Sequence, residues 1–292
     1  MILVTGATGH VGAELVRQLA AAGTSPIRAM TRRPESIDPP PGVEVVKGDA
    51  DDPAGLHHAF AGVERAFLMS AQPTGPRGER PTHLPRLVDA AARAGVAHVV
   101  ALSVFSGGEG DDAIAEWCGH IEDAVTGSGM GWTLLRPGRF MSNALHLARQ
   151  IHHGDQVTIP FANRPAASID PADIAAVAAL ALTTDGHHGA AYQLSGPEVL
   201  TPTEELAILA ELLGRPLRAI DPPLDTVRAG MLRGGVPEDV FDAMVARTVG
   251  SDVGTELLPT VAELLGRPPT TFARWARAHL DHFRTEGKPA HV

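Results

Sequence analysis

Eight residues near the start of the chain, Thr5-Gly6-Ala7-Thr8-Gly9-His10-Val11-Gly12, have the types and spacing of a phosphate cradle. An apolar run, Met1-Ile2-Leu3-Val4, precedes them, and a segment with helical periodicity, residues 13–22, follows. A strand, a glycine turn and a helix start form the context in which a glycine motif points to a phosphate site. Gly6 permits the tight turn out of the strand, Gly9 lets backbone approach a pyrophosphate, and Gly12 lets the helix pack closely on the strand. The helix N-terminus adds free N–H groups and the positive end of its dipole. Thr8, His10 and Val11 complete the turn and join the glycines as candidate contacts. The spacing is G-x-x-G-x-x-G rather than G-x-G-x-x-G.

The second recognition point of such a site is the end of the second strand. An acidic residue there bonds the ribose hydroxyl of NAD, whereas arginine suits the 2′-phosphate of NADP. The chain reads Ala29-Met30-Thr31-Arg32-Arg33-Pro34, with two guanidinium groups and no acid. NADP(H) is therefore expected in preference to NAD(H), with Arg32 and Arg33 as the discriminating pair; two solvated surface arginines are the alternative. After the third strand comes Gly48-Asp49-Ala50-Asp51-Asp52, at the expected adenine edge. Asp49, with Ala50 beside it, can accept from an adenine amino group, and Asp52 is placed to cap a helix opening at Pro53.

The chain contains one tyrosine, Tyr192, and two lysines, Lys47 and Lys288. A Tyr-x-x-x-Lys pair, in which an ammonium lowers the phenol pKa, cannot be built from them. That argues against an alcohol dehydrogenase or sugar epimerase that works through a tyrosinate. The pairs His57-His58, His152-His153 and His187-His188 lack metal-ligand spacing, so no metal site is expected.

These residues require a parallel sheet to position them. Strands are expected at 2–5, 27–31, 43–47, 65–69, 98–102 and 132–136, alternating with helices at 11–22, 53–60, 84–94 and 113–126. This alternation predicts an α/β fold, a Rossmann-type doubly wound parallel sheet that binds ligands at the carboxyl ends of its strands. Helices at 171–183, 203–213, 225–232, 237–249 and 271–283, with short strands at 156–159 and 191–194, predict a smaller, mostly helical substrate lobe. The expected division is a dinucleotide-binding domain at 1–150 and, at 151–292, a segment that completes the sheet and forms the lobe. With 34 acidic against 24 basic residues, binding to nucleic acid or an anionic membrane surface is not expected. A lone Cys118 excludes an intrachain disulfide framework. No apolar stretch approaches the roughly 18 residues of a membrane span, and Gly6 interrupts any signal-peptide core. A cytoplasmic protein acting on a small molecule is expected, and its oligomeric state is open.

The ordered set Val4–Gly12, Thr31-Arg32-Arg33-Pro34, Gly48-Asp49, Ala101-Leu102-Ser103, Thr133 to Asn143 and Ile169 to Ala175 resembles the atypical short-chain dehydrogenase/reductases. The similarity is to their NmrA-like NAD(P)-binding branch, which includes type 2 quinone oxidoreductases, triphenylmethane reductases and non-enzymatic NADP-sensing regulators. It runs through roughly the first 180 residues and more loosely beyond. The resemblance implies that Met69-Ser70 and Leu102-Ser103-Val104, at the ends of strands four and five, border the nicotinamide. It also implies, aligning on Glu122, that Cys118 and Ile114 stand where classical relatives carry lysine and tyrosine.

On a helix over 113–126, Ile114, Trp117, Cys118, Ile121 and Val125 share a face, which reads Cys118 as a small buried hydrophobe. His120, off the centre of that stripe, and Ser103, at the end of the fifth strand, are the candidate catalytic residues. Ser103 has three open roles: bonding a carbonyl oxygen, bonding the nicotinamide, or satisfying backbone. Phe140 and Asn143 join Ser103 and Val104 as substrate candidates. The expected activity is NADPH-dependent hydride transfer to a small conjugated electrophile such as a quinone, without a Tyr-Lys dyad. The alternative is a non-catalytic NADP(H)-binding redox sensor.

Overall fold

A computed structural model describes residues 1–24, 26–69, 71–249 and 251–284. The chain opens with β1 (Ile2–Val4), α1 (His10–Ala21), β2 (Ile27–Thr31), β3 (Val43–Lys47), α2 (Pro53–Phe60), β4 (Arg65–Leu68), α3 (His83–Arg93), β5 (His98–Leu102), α4 (Ala113–Thr126) and β6 (Gly131–Pro137). A 3-10 helix over Met141–Leu147, α5 (Ala148–His153) and β7 (Gln156–Thr158) come next, followed by α6 (Pro171–Thr183) and β8 (Ala190–Leu194). The remainder is α7 (Pro202–Leu213), β9 (Arg218–Ile220), α8 (Leu224–Arg233), α9 (Glu238–Val249), α10 (Thr260–Leu265), α11 (Phe272–Ala278) and α12 (Asp281–Arg284). Two compact units result, one of Met1–Pro137 with Pro171–Gln193, the other of Gly138–Asp170 with the chain from Leu194 on.

The first unit holds a seven-stranded sheet in the order β3-β2-β1-β4-β5-β6-β8. β1 pairs parallel with both β2 and β4, Ile2 lying opposite Ile27 and Arg65. Chain order reverses across β1 and β4, which makes their carboxyl ends the switch point of a doubly wound sheet. All three β1 residues are buried, as a strand covered on both faces requires. One face is filled by Leu3, Phe60, Leu68, Leu87, Val99 and Leu134 among others. α1 and α6 pack against each other, and Gln18 Nε2 donates to the Ala172 carbonyl at 2.9 Å.

Arg28 is the one charged residue of β2, set between Ile27 and Ala29. The sheet register sets it opposite Glu44, whose carboxylate accepts from Arg28 Nε at 2.9 Å. The carbonyls of Ala59 and Ala61 take Nη1 at 2.7 and 2.8 Å. At the amino ends of β5 and β6, His98 Nε2 lies 3.0 Å from Thr133 Oγ1, and Thr133 donates to the His187 carbonyl at 2.7 Å. Tyr192 belongs to this cluster, its hydroxyl 2.9 Å from His187 Nδ1. Gln72 closes the base of the loop after β4, its Oε1 accepting from the Thr82 and His83 amides at 2.9 and 2.8 Å.

The second unit packs Met141, Ile151, Val157, Leu209, Phe272, Trp275 and Phe283 into its own core, with β7 and β9 paired parallel beside it. Glu205 lies buried in this unit, its carboxylate accepting from Arg139 Nη2 at 2.6 Å and from Ser168 Oγ at 2.8 Å. Burial pushes its pKa up against the pull of Arg139. α7 and α10 end at Gly214 and Gly266, both at φ 64°, as their Gly-Arg-Pro sequences predict.

Several expectations are corrected here. The helix expected over 271–283 is two helices. His279 leaves helical geometry at φ −109°, ψ 13°, its ring stacked 4.6 Å from Trp275 and its Nδ1 2.8 Å from the Trp275 carbonyl. α5, β9 and α10 are further elements that the apolar pattern did not mark, each six residues or shorter. On α4, Ile114 and Ile121 are only half-buried, while Glu122 joins Trp117, Cys118 and Val125 in the interior.

His98 should shape the acid response. Burial, reinforced by Arg65 and the two neighbouring histidines, lowers its pKa from 6.5 to about 4. The unfolded chain therefore takes up a proton between those values that the folded chain refuses, and stability falls as pH drops through that window. Melting temperatures compared across pH 6.5 to 4 should fall less steeply for His98→Gln than for the natural chain.

Candidate active site

The parallel register brings the carboxyl ends of β1 to β5 to one edge of the sheet. The turn after β1 is drawn tightly together there. Gly6 has φ +62°, and a Cβ on it would lie 2.1 Å from Met69 Sδ. A Cβ on Gly12 would lie 2.2 Å from the Gly6 carbonyl oxygen, so α1 approaches the turn with backbone against backbone. Gly9 N donates to that same oxygen at 2.9 Å. Gly9 also serves as the N-cap of α1, with no side-chain cap and no acid in the first turn. A Cβ on Gly9 would meet only the Gly6 oxygen, at 3.4 Å, so its outer side is open to a ligand. Thr8 and His10 are exposed and Val11 is buried beneath the helix. This uncapped N-terminus around an open glycine fits a pyrophosphate.

Thr5 ties the floor of the site together. Its hydroxyl donates to the Met69 carbonyl at 3.1 Å and accepts from the Met69 amide at 2.8 Å. The bond joins β1 to β4 at the switch point. The motif includes Thr5 but not its tie to Met69, for which a β-branched hydroxyl before the first glycine is the only local signal. Met69 is half-buried beside Gly6, and Ser70 lies outside the described residues.

Arg32 and Arg33 are exposed just beyond β2, and neither guanidinium has an acidic partner among the described residues. Past β3, Asp49 Oδ1 accepts from the Asp51 amide at 3.1 Å, Ala50 packs half-buried against the core, and Asp52 caps α2 through the Gly55 amide at 3.1 Å. Asp51 is occupied by Arg86 and, at 3.5 Å, by His83.

At β5 the half-buried Leu102 and Ser103 are followed by Val104, 40% exposed. Ser103 Oγ donates to Glu122 Oε1 at 2.6 Å. Glu122 is also clasped by Arg136, Nε to Oε1 at 2.9 Å and Nη2 to Oε2 at 2.7 Å. Arg136 further meets Glu109 at 2.8 Å. The paired carboxylates hold the Arg136 guanidinium above its ordinary pKa. His120 is half-buried on α4, its Nδ1 without a hydrogen-bond partner. At about 100° per residue it lies roughly 200° around the helix from Glu122. Among the described residues no hydrogen bond joins the two candidate catalytic residues, Ser103 and His120. Phe140 and Asn143 belong to the second unit. Phe140 is half-buried and caps the Met141–Leu147 turn, and Asn143 is exposed. Among the described residues no group of three or more His, Cys, Asp or Glu side chains could hold a metal ion, and no helix is long and apolar enough to cross a membrane.

A family model described as NAD(P)H-binding matches residues 6–185. The chain belongs to this NAD(P)H-binding family. Three relatives share nearly its whole length with it. A (4-alkanoyl-5-oxo-2,5-dihydrofuran-3-yl)methyl phosphate reductase of Streptomyces griseus is 42% identical over 98% of this chain and 100% of its own. An NAD(P)H azoreductase of Xenophilus azovorans is 35% identical over 97% and 99%. Quinone oxidoreductase 2 of Escherichia coli is 31% identical over 94% and 96%. The structure of the Escherichia coli NADPH-dependent quinone oxidoreductase in complex with NADPH superposes with a TM-score of 0.74, at 29% identity over 96% of this chain and all of that one. As a member of the NAD(P)H-binding family with oxidoreductase homologues along its length, the chain is an oxidoreductase, and the resemblance to the atypical short-chain dehydrogenase/reductases holds.

Gly12→Ala tests the turn. Its methyl must displace the Gly6 carbonyl, so a loss of about 1–3 kcal/mol of stability is expected in denaturant titration. Weakened NADPH binding should accompany it in a fluorescence titration.

Proposed function

We propose that the chain is an NADPH-dependent reductase of small molecules with a polarised, conjugated double bond, quinones among them. The observation that carries this reading is the uncapped glycine turn at the switch point with two guanidinium groups past the next strand, Arg32 and Arg33, that have no acidic partner among the described residues. The α1 N-terminus and Gly6–Gly12 would hold the pyrophosphate, Arg32 and Arg33 the 2′-phosphate, and Asp49 and Ala50 the adenine side. Met69, Leu102 and Ser103 would border the nicotinamide, with Ser70 as a sequence-based candidate. When bound, the cofactor supplies the hydride.

This chain's residues contribute positioning more than proton transfer. Its one tyrosine is engaged with His187, and the one lysine among the described residues, Lys47, ends β3 rather than β5. An acceptor whose reduction leaves a stabilised anion can take its proton from water, which suits a site without a Tyr-Lys pair, and orientation can supply much of the acceleration. The names of the three relatives support the same class, since an azo group, a quinone and an alkanoyl-substituted unsaturated lactone are all conjugated electrophiles. Phe140 and Asn143 are retained from the sequence as acceptor-recognition candidates. The missing dyad also favours the competing reading, a non-catalytic NADP(H) sensor.

Purified protein with a panel of quinones, azo dyes and acyl butenolides separates the readings by NADPH absorbance. Multiple turnovers are expected, and binding without turnover on every acceptor would favour the sensor. In the Arg32→Ala/Arg33→Ala double variant, NADPH affinity should fall about a hundredfold or more, as for two lost charge-assisted phosphate contacts. NADH affinity should stay within twofold, and an equal loss for both would refute the assignment of the pair.

A further inference from the structure

A hydroxyl has one proton to give and two lone pairs to receive with. At 2.6 Å from a carboxylate oxygen, the Ser103 proton is committed to Glu122, since an ionised carboxylate can only accept. The bond is charge-assisted and short. Glu122 is buried at 7% exposure and cannot turn away, because both of its oxygens are gripped by Arg136. The backbone is shaped around this contact. Gly107 takes φ +53°, and a Cβ there would fall 2.4 Å from Glu122 Oε1 and 2.5 Å from Arg136 Nε. A Cβ on Gly108 would fall 2.7 Å from the Gly119 Cα, so the loop lies directly on α4. Ser106 holds φ 64° without being glycine, a conformation that persists only where its surroundings enforce it. Ser103 is half-buried at the carboxyl end of β5, and its Oγ has acceptor lone pairs beyond the proton it gives to Glu122.

We propose that Glu122, locked by Arg136, fixes the Ser103 hydroxyl as a hydrogen-bond acceptor, so that Ser103 receives the carboxamide N–H of the nicotinamide and does not polarise the carbonyl of the hydride acceptor. Glu122 is then a positioning residue for Ser103. This narrows the open roles of Ser103 to one, and it rests on the NADPH reading above. It also assigns the Ser103–Glu122–Arg136 network a task besides holding α4 to the sheet.

The test measures binding first and quinone turnover beside it. Titration calorimetry with NADP⁺ and with its 3-acetylpyridine analogue, which carries a methyl ketone in place of the carboxamide, reports whether the donor N–H matters. The natural chain should prefer NADP⁺ by about fivefold, the worth of one hydrogen bond. In Ser103→Ala the preference should shrink to within about twofold. Glu122→Gln should narrow it as well, because an amide nitrogen in place of one carboxylate oxygen faces either Arg136 Nη2 or the Ser103 hydroxyl donor against donor, which loosens the grip that fixes the hydroxyl. Should that variant fail to fold, Ser103→Ala still decides the matter. A natural chain indifferent to the analogue, or a Ser103→Ala variant that keeps the full preference, overturns the proposal. Unchanged preference with lost quinone turnover overturns it too, by assigning the hydroxyl to the acceptor. Binding of neither dinucleotide overturns the NADPH reading together with it.

Discussion

The Gly6 carbonyl oxygen occupies the space where a side chain on Gly12 would begin. That approach forces the chain to reverse within the turn, and Gly9 secures the reversal by bonding to the same oxygen. It also brings α1 down onto the sheet beside β1, where α6 packs against it. Met69 then fills the space that Gly6 leaves empty, and Thr5 fastens Met69 by two hydrogen bonds. The ends of β1 and β4, the helix N-terminus and the packing of the sheet's first helix thus follow from one backbone contact that any side chain would prevent.

The site has a second, electrostatic foundation at the end of β5. A buried ion pair carries a desolvation cost that only close geometry and additional hydrogen bonds offset. Glu122 and Arg136 meet that condition through a two-point contact, with Ser103 and Glu109 as further partners. Removing one member would leave a buried charge uncompensated, a loss of several kcal/mol in comparable settings. The network therefore sets the loop, the helix and the serine as one unit.

The inner strands were legible because strands buried on both faces are near-continuous apolar runs bounded by turns, and the edge strand β3, with one buried residue, because of its three valines. β2, β3 and β5, like α2, α4 and α6, have the limits their patterns suggest. The short elements α5, β9 and α10 do not span enough turns or alternations to show a period. The break at His279 involves neither proline nor glycine, so no local signal marks it. The burial of Glu122 is illegible for a different reason: periodicity counts apolar residues and treats a charge among them as an exception. The partner that makes such burial tolerable lies 14 positions away. Arg28 and Glu44 are the parallel case, visible only once the strand register is known. The glycine turn was readable because backbone sterics act locally. The direction of the Ser103 hydrogen bond depends on two residues from different elements and was not.

Gln72 gives the molecule a different kind of freedom. Because its amide oxygen joins the start of α3 to the end of β4, the nine residues between Gln72 and Thr82 form a ring closed at its base. Loop closure entropy grows only slowly with length, so such a ring can be lengthened, shortened or rewritten with little effect on the sheet beneath. It opens from the same strand edge as the glycine turn. In an evolving lineage that makes it a segment whose length can change without moving the strand edge, so long as Arg77 keeps its pair with Glu116 and Gly75 stays against Trp117.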